Sequence, residues 1–111
     1  MFTNQIGKLD VEKITSQNQE ISNDADMSFG STAKWGLGFL LHPQGTQNGR
    51  SPGSASWAGM FNTYFWIDRR KSLFGMFATQ VLPFYDTKSI EYLKKFETVS
   101  YTHLRAHETA T

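Results

Sequence analysis

Two groupings in this chain have the residue types and spacing for chemistry. Ser31-Thr32-Ala33-Lys34 sets a hydroxyl and an amine three residues apart, the spacing at which a helix opening at the serine would bring a base one turn above a nucleophile. Ser31, however, follows Gly30 and runs straight into an extended pattern, so its side chain and that of Lys34 are not expected to share a face. His103 and His107 have the i,i+4 spacing of a helical metal pair, but two ligands without a third do not make a site, and no metal is expected. His42, alone beside Pro43, and Arg50, in a connection rich in glycine and proline, read as solvated surface groups.

The elements that would have to position such groups come from one modest chain. Its 111 residues, 39% hydrophobic and 14% aromatic, suit one domain or part of one and argue against disorder. Eleven basic against ten acidic residues leave a formal charge of +1, which gives no electrostatic basis for binding nucleic acid or an anionic membrane. Without cysteine there is no disulfide framework and no thiolate metal site. No apolar run approaches the roughly 20 residues of a membrane span, and no signal-peptide pattern opens the chain.

The firmest structural signal lies between Ser54 and Gln80. Phe61-Asn62-Thr63-Tyr64-Phe65-Trp66-Ile67-Asp68 and Leu73-Phe74-Gly75-Met76-Phe77-Ala78-Thr79-Gln80, separated by Arg69-Arg70-Lys71, predict a β-hairpin in a sheet covered on both faces, because neither the odd nor the even positions are plainly polar. Asp68 leads the turn, with a carboxylate able to accept a local backbone N–H. A further strand precedes the hairpin at Ser54-Ala55-Ser56-Trp57-Ala58-Gly59-Met60. Residues 34–41 alternate Trp35, Leu37, Phe39 and Leu41 with Gly36 and Gly38, the pattern of a single strand closely approached by another element. Residues 1–34 are polar, with a short helix possible over 11–14, and read as a lead-in that cannot fold by itself. Asp86 is placed to cap a helix over 87–99, with Ile90, Leu93 and Phe96, and Tyr92 beside them, facing the sheet. Residues 100–111, with Tyr101-Thr102-His103-Leu104-Arg105-Ala106, resemble translated sequencing-adapter read-through and are set aside as a non-native tail.

Trp35-Gly36-Leu37-Gly38-Phe39, then Gly49-Arg50-Ser51-Pro52-Gly53-Ser54-Ala55-Ser56-Trp57-Ala58-Gly59, then Thr63-Tyr64-Phe65-Trp66-Ile67-Asp68, Thr79-Gln80-Val81-Leu82-Pro83-Phe84 and Phe96-Glu97 occur in an order that resembles the C-terminal part of β-lactamase-related serine hydrolases, the class C β-lactamases and the carboxylesterases that share their fold. The resemblance implies an α+β architecture, a partial β-lactamase/transpeptidase-like fold with an antiparallel sheet of about three to four strands and a C-terminal helix packed on it over residues 35–99. It also implies that the N-terminal half of the domain lies outside this sequence.

In that family Ser-x-x-Lys, Tyr-x-Asn or Ser-x-Asn, and Lys-Thr-Gly meet around the substrate. By resemblance Trp57-Ala58-Gly59 stands in the Lys-Thr-Gly place, where glycine lets substrate approach the strand backbone, and Trp57, Ala58 and Gly59 would bind substrate. The backbone N–H of Met60 would be one of two oxyanion-hole donors. Trp57 offers a flat apolar face and one N–H where the family motif has an ammonium, which points toward a small neutral ester or amide substrate rather than one recognised by its carboxylate, as a β-lactam is. Ser31-x-x-Lys34 and Ser16-Gln17-Asn18 match the other two motifs as strings, but in the wrong order and without the helix the first requires. The expected function is therefore that of a serine hydrolase fragment lacking its nucleophile, with no cofactor. The alternative is a non-catalytic, penicillin-binding-like relative that holds peptidoglycan or acyl ligands in the same cleft.

Overall fold

The computed structural model describes the backbone of residues 1–110 and the side chains of residues 1–105. Five antiparallel strands lie side by side in chain order: β1 (Lys34–Trp35), β2 (Leu40–His42), β3 (Ser54–Gly59), β4 (Thr63–Asp68) and β5 (Leu73–Phe77), followed by one helix, α1 (Thr87–Ala110). The architecture is α+β.

The strand count exceeds expectation because residues 34–41 do not form one strand. They fold back on themselves, with Trp35 opposite Leu40 and the Gly36 N–H donating to the Phe39 carbonyl at 2.9 Å. Strict alternation cannot distinguish a strand from a short hairpin with glycines at its bend, and Leu37 consequently projects into solvent. The close approach read from the glycines is real. The Met1 carbonyl occupies the place where a Gly36 Cβ would sit, and the Met1 side chain crowds Gly38.

The central hairpin forms where its turn signal placed it, but the sheet is not covered on both faces: Phe74 and Met76, on the face opposite α1, are exposed. Asp68 and Leu73 close a four-residue loop, and the Asp68 carboxylate accepts the Lys71 N–H at 3.1 Å. Between β3 and β4 the chain turns in three residues, Met60, Phe61 and Asn62, with Gly59 opposite Thr63 and Asn62 at φ 62°. Asparagine tolerates that left-handed conformation better than most residues. Its buried side chain uses its full bonding capacity. Nδ2 donates to the carbonyls of Val81 (2.7 Å) and Pro83 (2.8 Å), and Oδ1 accepts from the Tyr64 hydroxyl (2.7 Å) and the Asp86 N–H (3.0 Å). One amide thus ties the β3–β4 turn to the segment that leads into α1.

Along β4 the burial alternates. Tyr64, Trp66 and Asp68 are buried on the face that α1 covers, and Thr63, Phe65 and Ile67 are half-buried on the other. Asp86 caps α1 by accepting the Ser89 N–H at 3.0 Å. The inward row of the helix is Ile90, Leu93, Glu97 and Tyr101, all buried, spaced by three or four residues as a single face requires. Phe96 and Tyr92, expected on that face, are exposed, although the Phe96 ring still meets Trp66 at 5.6 Å. The helix also runs past residue 99. The Tyr101 hydroxyl accepts from Trp66 Nε1 (3.0 Å) and donates to Asp68 (2.7 Å), so the stretch set aside as a tail starts within the helix and supplies a core side chain.

The lead-in has no helix at 11–14. Ile14 instead bridges to Ala25, and the N–H groups of Gln5 and Val11 donate to the carbonyls of Trp35 and Ala33, each at 2.8 Å. This segment therefore lines the outer side of β1, and Met27, Phe29 and Ala33 join Leu40, Tyr64, Trp66, Ile90 and Leu93 in the core. Each large side chain so buried is worth about 1.5–3 kcal/mol.

Candidate functional site

The C-terminal half of β3 is a strand with one open side. β2 pairs with it only at Ser54, Ala55 and Ser56, whereas β4 pairs with it from Ala55 to Gly59. The hairpin bend at Gly36–Phe39 ends the β2 ladder early, so Trp57, Ala58 and Gly59 have a strand neighbour on the β4 side alone.

The four sequence-predicted site residues are adjacent in the chain and sit together at this strand end. Trp57 is half-buried, with its ring edge-on to Trp35 at 4.7 Å between centroids and 88° between planes. Its register opposite Phe65, itself opposite Met76, puts it on the face that α1 leaves uncovered. Ala58 is half-buried against the core. Gly59 is exposed, and a Cβ added there would meet only the Thr63 Cβ, at 3.9 Å. The fold itself would accept a methyl group at 59, so the space above this backbone is open to the outside. Met60 is exposed at the start of the turn. The turn is fixed from below: the Thr79 hydroxyl donates to the Phe61 carbonyl at 2.5 Å, and the Val81 N–H donates to the same oxygen at 3.3 Å.

An open strand edge flanked by two indoles can receive an extended backbone or an acyl oxygen through main-chain hydrogen bonds. None of Trp57, Ala58, Gly59 and Met60 carries an ionisable side chain, so these residues can bind and polarise but cannot attack or transfer a proton.

The other motif-like residues serve structural ends. Ser31 closes a turn, its N–H donating to the Ser28 carbonyl at 3.1 Å. The Lys34 ammonium points to the lead-in, 2.7 Å from Asp10 and within bonding distance of the carbonyls of Leu9 (2.6 Å) and Gly7 (3.2 Å). Ser16 Oγ accepts the Asn18 N–H, and Asn18 Oδ1 accepts the Glu20 N–H, each at 3.1 Å, which makes Ser16-Gln17-Asn18 a pair of side-chain turns. His103 lies on α1, and the side chain of His107 falls outside the described residues. Among the described residues no three His, Asp or Glu side chains gather as a metal would require. A surface hollow of about 270 Å³ between Gly49, Lys71, Tyr101, Leu104 and Arg105 lies by the Asp68 end of β4, away from Gly59.

Two residues assigned to the surface are in fact buried. Arg50 is 3% exposed and forms a two-pronged ion pair with Glu97, Nε donating to Oε2 at 3.1 Å and Nη2 to Oε1. Its guanidinium lies 5.1 Å from the Phe29 ring and 5.6 Å from that of Trp66. Burial raises the Glu97 carboxyl above its ordinary value, and the Arg50 charge offsets this only in part. His42 ends β2 wholly buried, with Nε2 3.2 Å from the Met27 carbonyl. A carbonyl can only accept, so Nε2 carries the proton. Desolvation, reinforced by the Arg50 charge, lowers the imidazole pKa from 6.5 to about 4 and keeps it neutral. For Asp68, burial alone would raise the carboxyl, but hydrogen bonds from the Tyr101 hydroxyl and the Ser51 and Lys71 N–H groups outweigh it and hold the pKa below its ordinary value. The only sequence signal for this polar layer was the helical row Leu93, Glu97, Tyr101, which sets a carboxylate between two core positions.

No protein family, curated protein or solved structure matches this chain.

Proposed function

We propose that this chain is the C-terminal part of a β-lactamase-related serine hydrolase, an esterase or amidase acting through an acyl-enzyme, and that Trp57 to Met60 line its cleft. The observation that carries the reading is the open side of β3: a strand that loses its β2 partner after Ser56 and ends in an exposed glycine whose site has room for a methyl group. The Met60 N–H would polarise the substrate carbonyl, Trp57 would offer an apolar wall to a neutral acyl or alcohol group, and Gly59 would keep the backbone approachable. The nucleophilic serine, its lysine and the tyrosine are supplied from outside these residues.

The test begins with the genomic frame upstream of Met1. It should encode a helical Ser-x-x-Lys followed by Tyr-x-Asn, and the longer chain should turn over p-nitrophenyl butyrate while the 111-residue chain gives background rates with that ester and with a chromogenic cephalosporin. In the longer chain Gly59→Val should lose turnover without losing thermal stability. An upstream frame lacking either motif refutes the reading, as does turnover by the short chain that Ser31→Ala abolishes.

A further inference from the structure

The sheet has two edges, and they differ. Along the β1 edge the lead-in donates backbone hydrogen bonds from Gln5 to Trp35 and from Val11 to Ala33. β5 is the last strand of the order, and among the described residues it pairs with β4 alone, so the outward N–H and C=O groups of Leu73–Phe77 have no described strand beside them. Natural edges are usually blunted by charge, proline or a bulge. This one holds five uncharged residues, Leu73-Phe74-Gly75-Met76-Phe77, with Phe74 58% and Met76 52% exposed. Both stand on the face opposite α1, where ring neighbours run from Phe2 to Phe39 (6.1 Å), Phe65 (5.8 Å) and Phe74 (6.3 Å), a row that stops at the open edge. On the other face Gly75 lies under the Trp66 ring.

We propose that two copies of this chain pair through β5, antiparallel and centred on Gly75. Three observations choose a second copy over another occupant. The segment is self-complementary about Gly75: a two-fold axis there sets Phe74 against Met76 of the second copy and Leu73 against its Phe77, with like faces aligned. The same axis sends the basic turns Arg69-Arg70-Lys71 to opposite ends, whereas parallel pairing would press them together. Because the β1 edge is already lined and the open stretch of β3 is only three residues long, β5 is the one whole strand left open among the described residues, and association stops at two rather than growing into a fibre. The pairing is independent of the hydrolase reading. With one strand edge and a few side chains it is a small interface, so it depends on concentration.

Sedimentation velocity on the 111-residue chain from about 1 to about 500 µM, the range in which small interfaces assemble, should show the mass rise from 12.6 kDa to twice that value and level off. Phe74→Lys with Met76→Lys puts lysines opposite each other at both contacts and should hold the protein monomeric throughout. Phe74→Glu with Met76→Lys removes the same apolar surface but pairs opposite charges across the axis, and should restore the dimer in a salt-sensitive form. A monomer at every concentration overturns the proposal and leaves the edge to a segment encoded elsewhere. So does continued growth beyond two copies, a double-lysine variant that still dimerises, or a charge-paired variant that does not.

Discussion

Replacing Glu97 by leucine is the most informative single perturbation of this fold. It leaves the Arg50 guanidinium 3% exposed, among Phe29, Trp66 and an apolar helix face, with its counter-charge gone. A fork at 3.1 Å, in surroundings of effective dielectric constant near 20, holds Coulomb energy of about 5 kcal/mol. Breaking a buried pair from one side typically costs about 3–5 kcal/mol. A chain of 111 residues has about 5–15 kcal/mol of stability in total, so Glu97→Leu removes a fifth of it or more. Arg50→Met combined with Glu97→Leu removes both charges and the Arg50 Nη1, a buried donor without a partner, and should be near neutral or stabilising by about 1–4 kcal/mol. Urea titrations followed by tryptophan fluorescence measure these stabilities, one of the three tryptophans, Trp66, lying 5.6 Å from the guanidinium. The coupling energy from the full cycle should be several kcal/mol and, since both groups are dry, should barely change in high salt. A cost below about 1 kcal/mol for Glu97→Leu, or a double variant as unstable as the sum of the singles, would refute the buried pair.

Other substitutions probe the remaining supports. His42 is held neutral with its pKa lowered from 6.5 to about 4; a depressed folded pKa gives stability that is complete above 6.5 and is lost as pH falls toward 4, amounting to about 3 kcal/mol. The stability difference between the native chain and His42→Gln should therefore narrow over that window in denaturant titrations, and a difference that stays constant with pH would show the imidazole to be solvated. Asn62→Gly keeps the left-handed backbone but deletes the hydrogen bonds to Val81, Pro83, Tyr64 and Asp86, for an expected loss of about 3 kcal/mol or more in a thermal melt. Gly75→Ala would put a methyl 2.2 Å from the rigid Trp66 ring, and overpacking of this kind should cost about 1–3 kcal/mol; an unchanged melting temperature would mean that the ring lies elsewhere. Tyr101→Phe breaks the bridge from Trp66 to Asp68 and should cost about 1–3 kcal/mol, whereas a foreign tail with no place in the core would tolerate the change freely.

Much of the hairpin and the helix start was legible because their causes are local. The Asp68 turn, the β4–β5 pairing and the Asp86 cap each depend on residues a few positions apart. The segment Trp57 to Met60 was also readable as one strand end, since its four members are contiguous. The bend within residues 34–41 was not, because alternation holds equally for a strand and for two short arms of a hairpin.

What the sequence determined by itself, then, was the set of local segments: apolar runs of period two, turn residues between them, and a capped helix with an apolar stripe. Only the tertiary structure decided the fate of the charged and polar side chains. Arg50 meets Glu97 across 47 residues, Tyr101 meets Asp68 across 33, and Asn62 meets the entry to α1 across 24. A charged group is buried or solvated according to the partner that folding delivers to it. The desolvation cost is local to the residue, but the interaction that offsets it comes from a distant part of the chain.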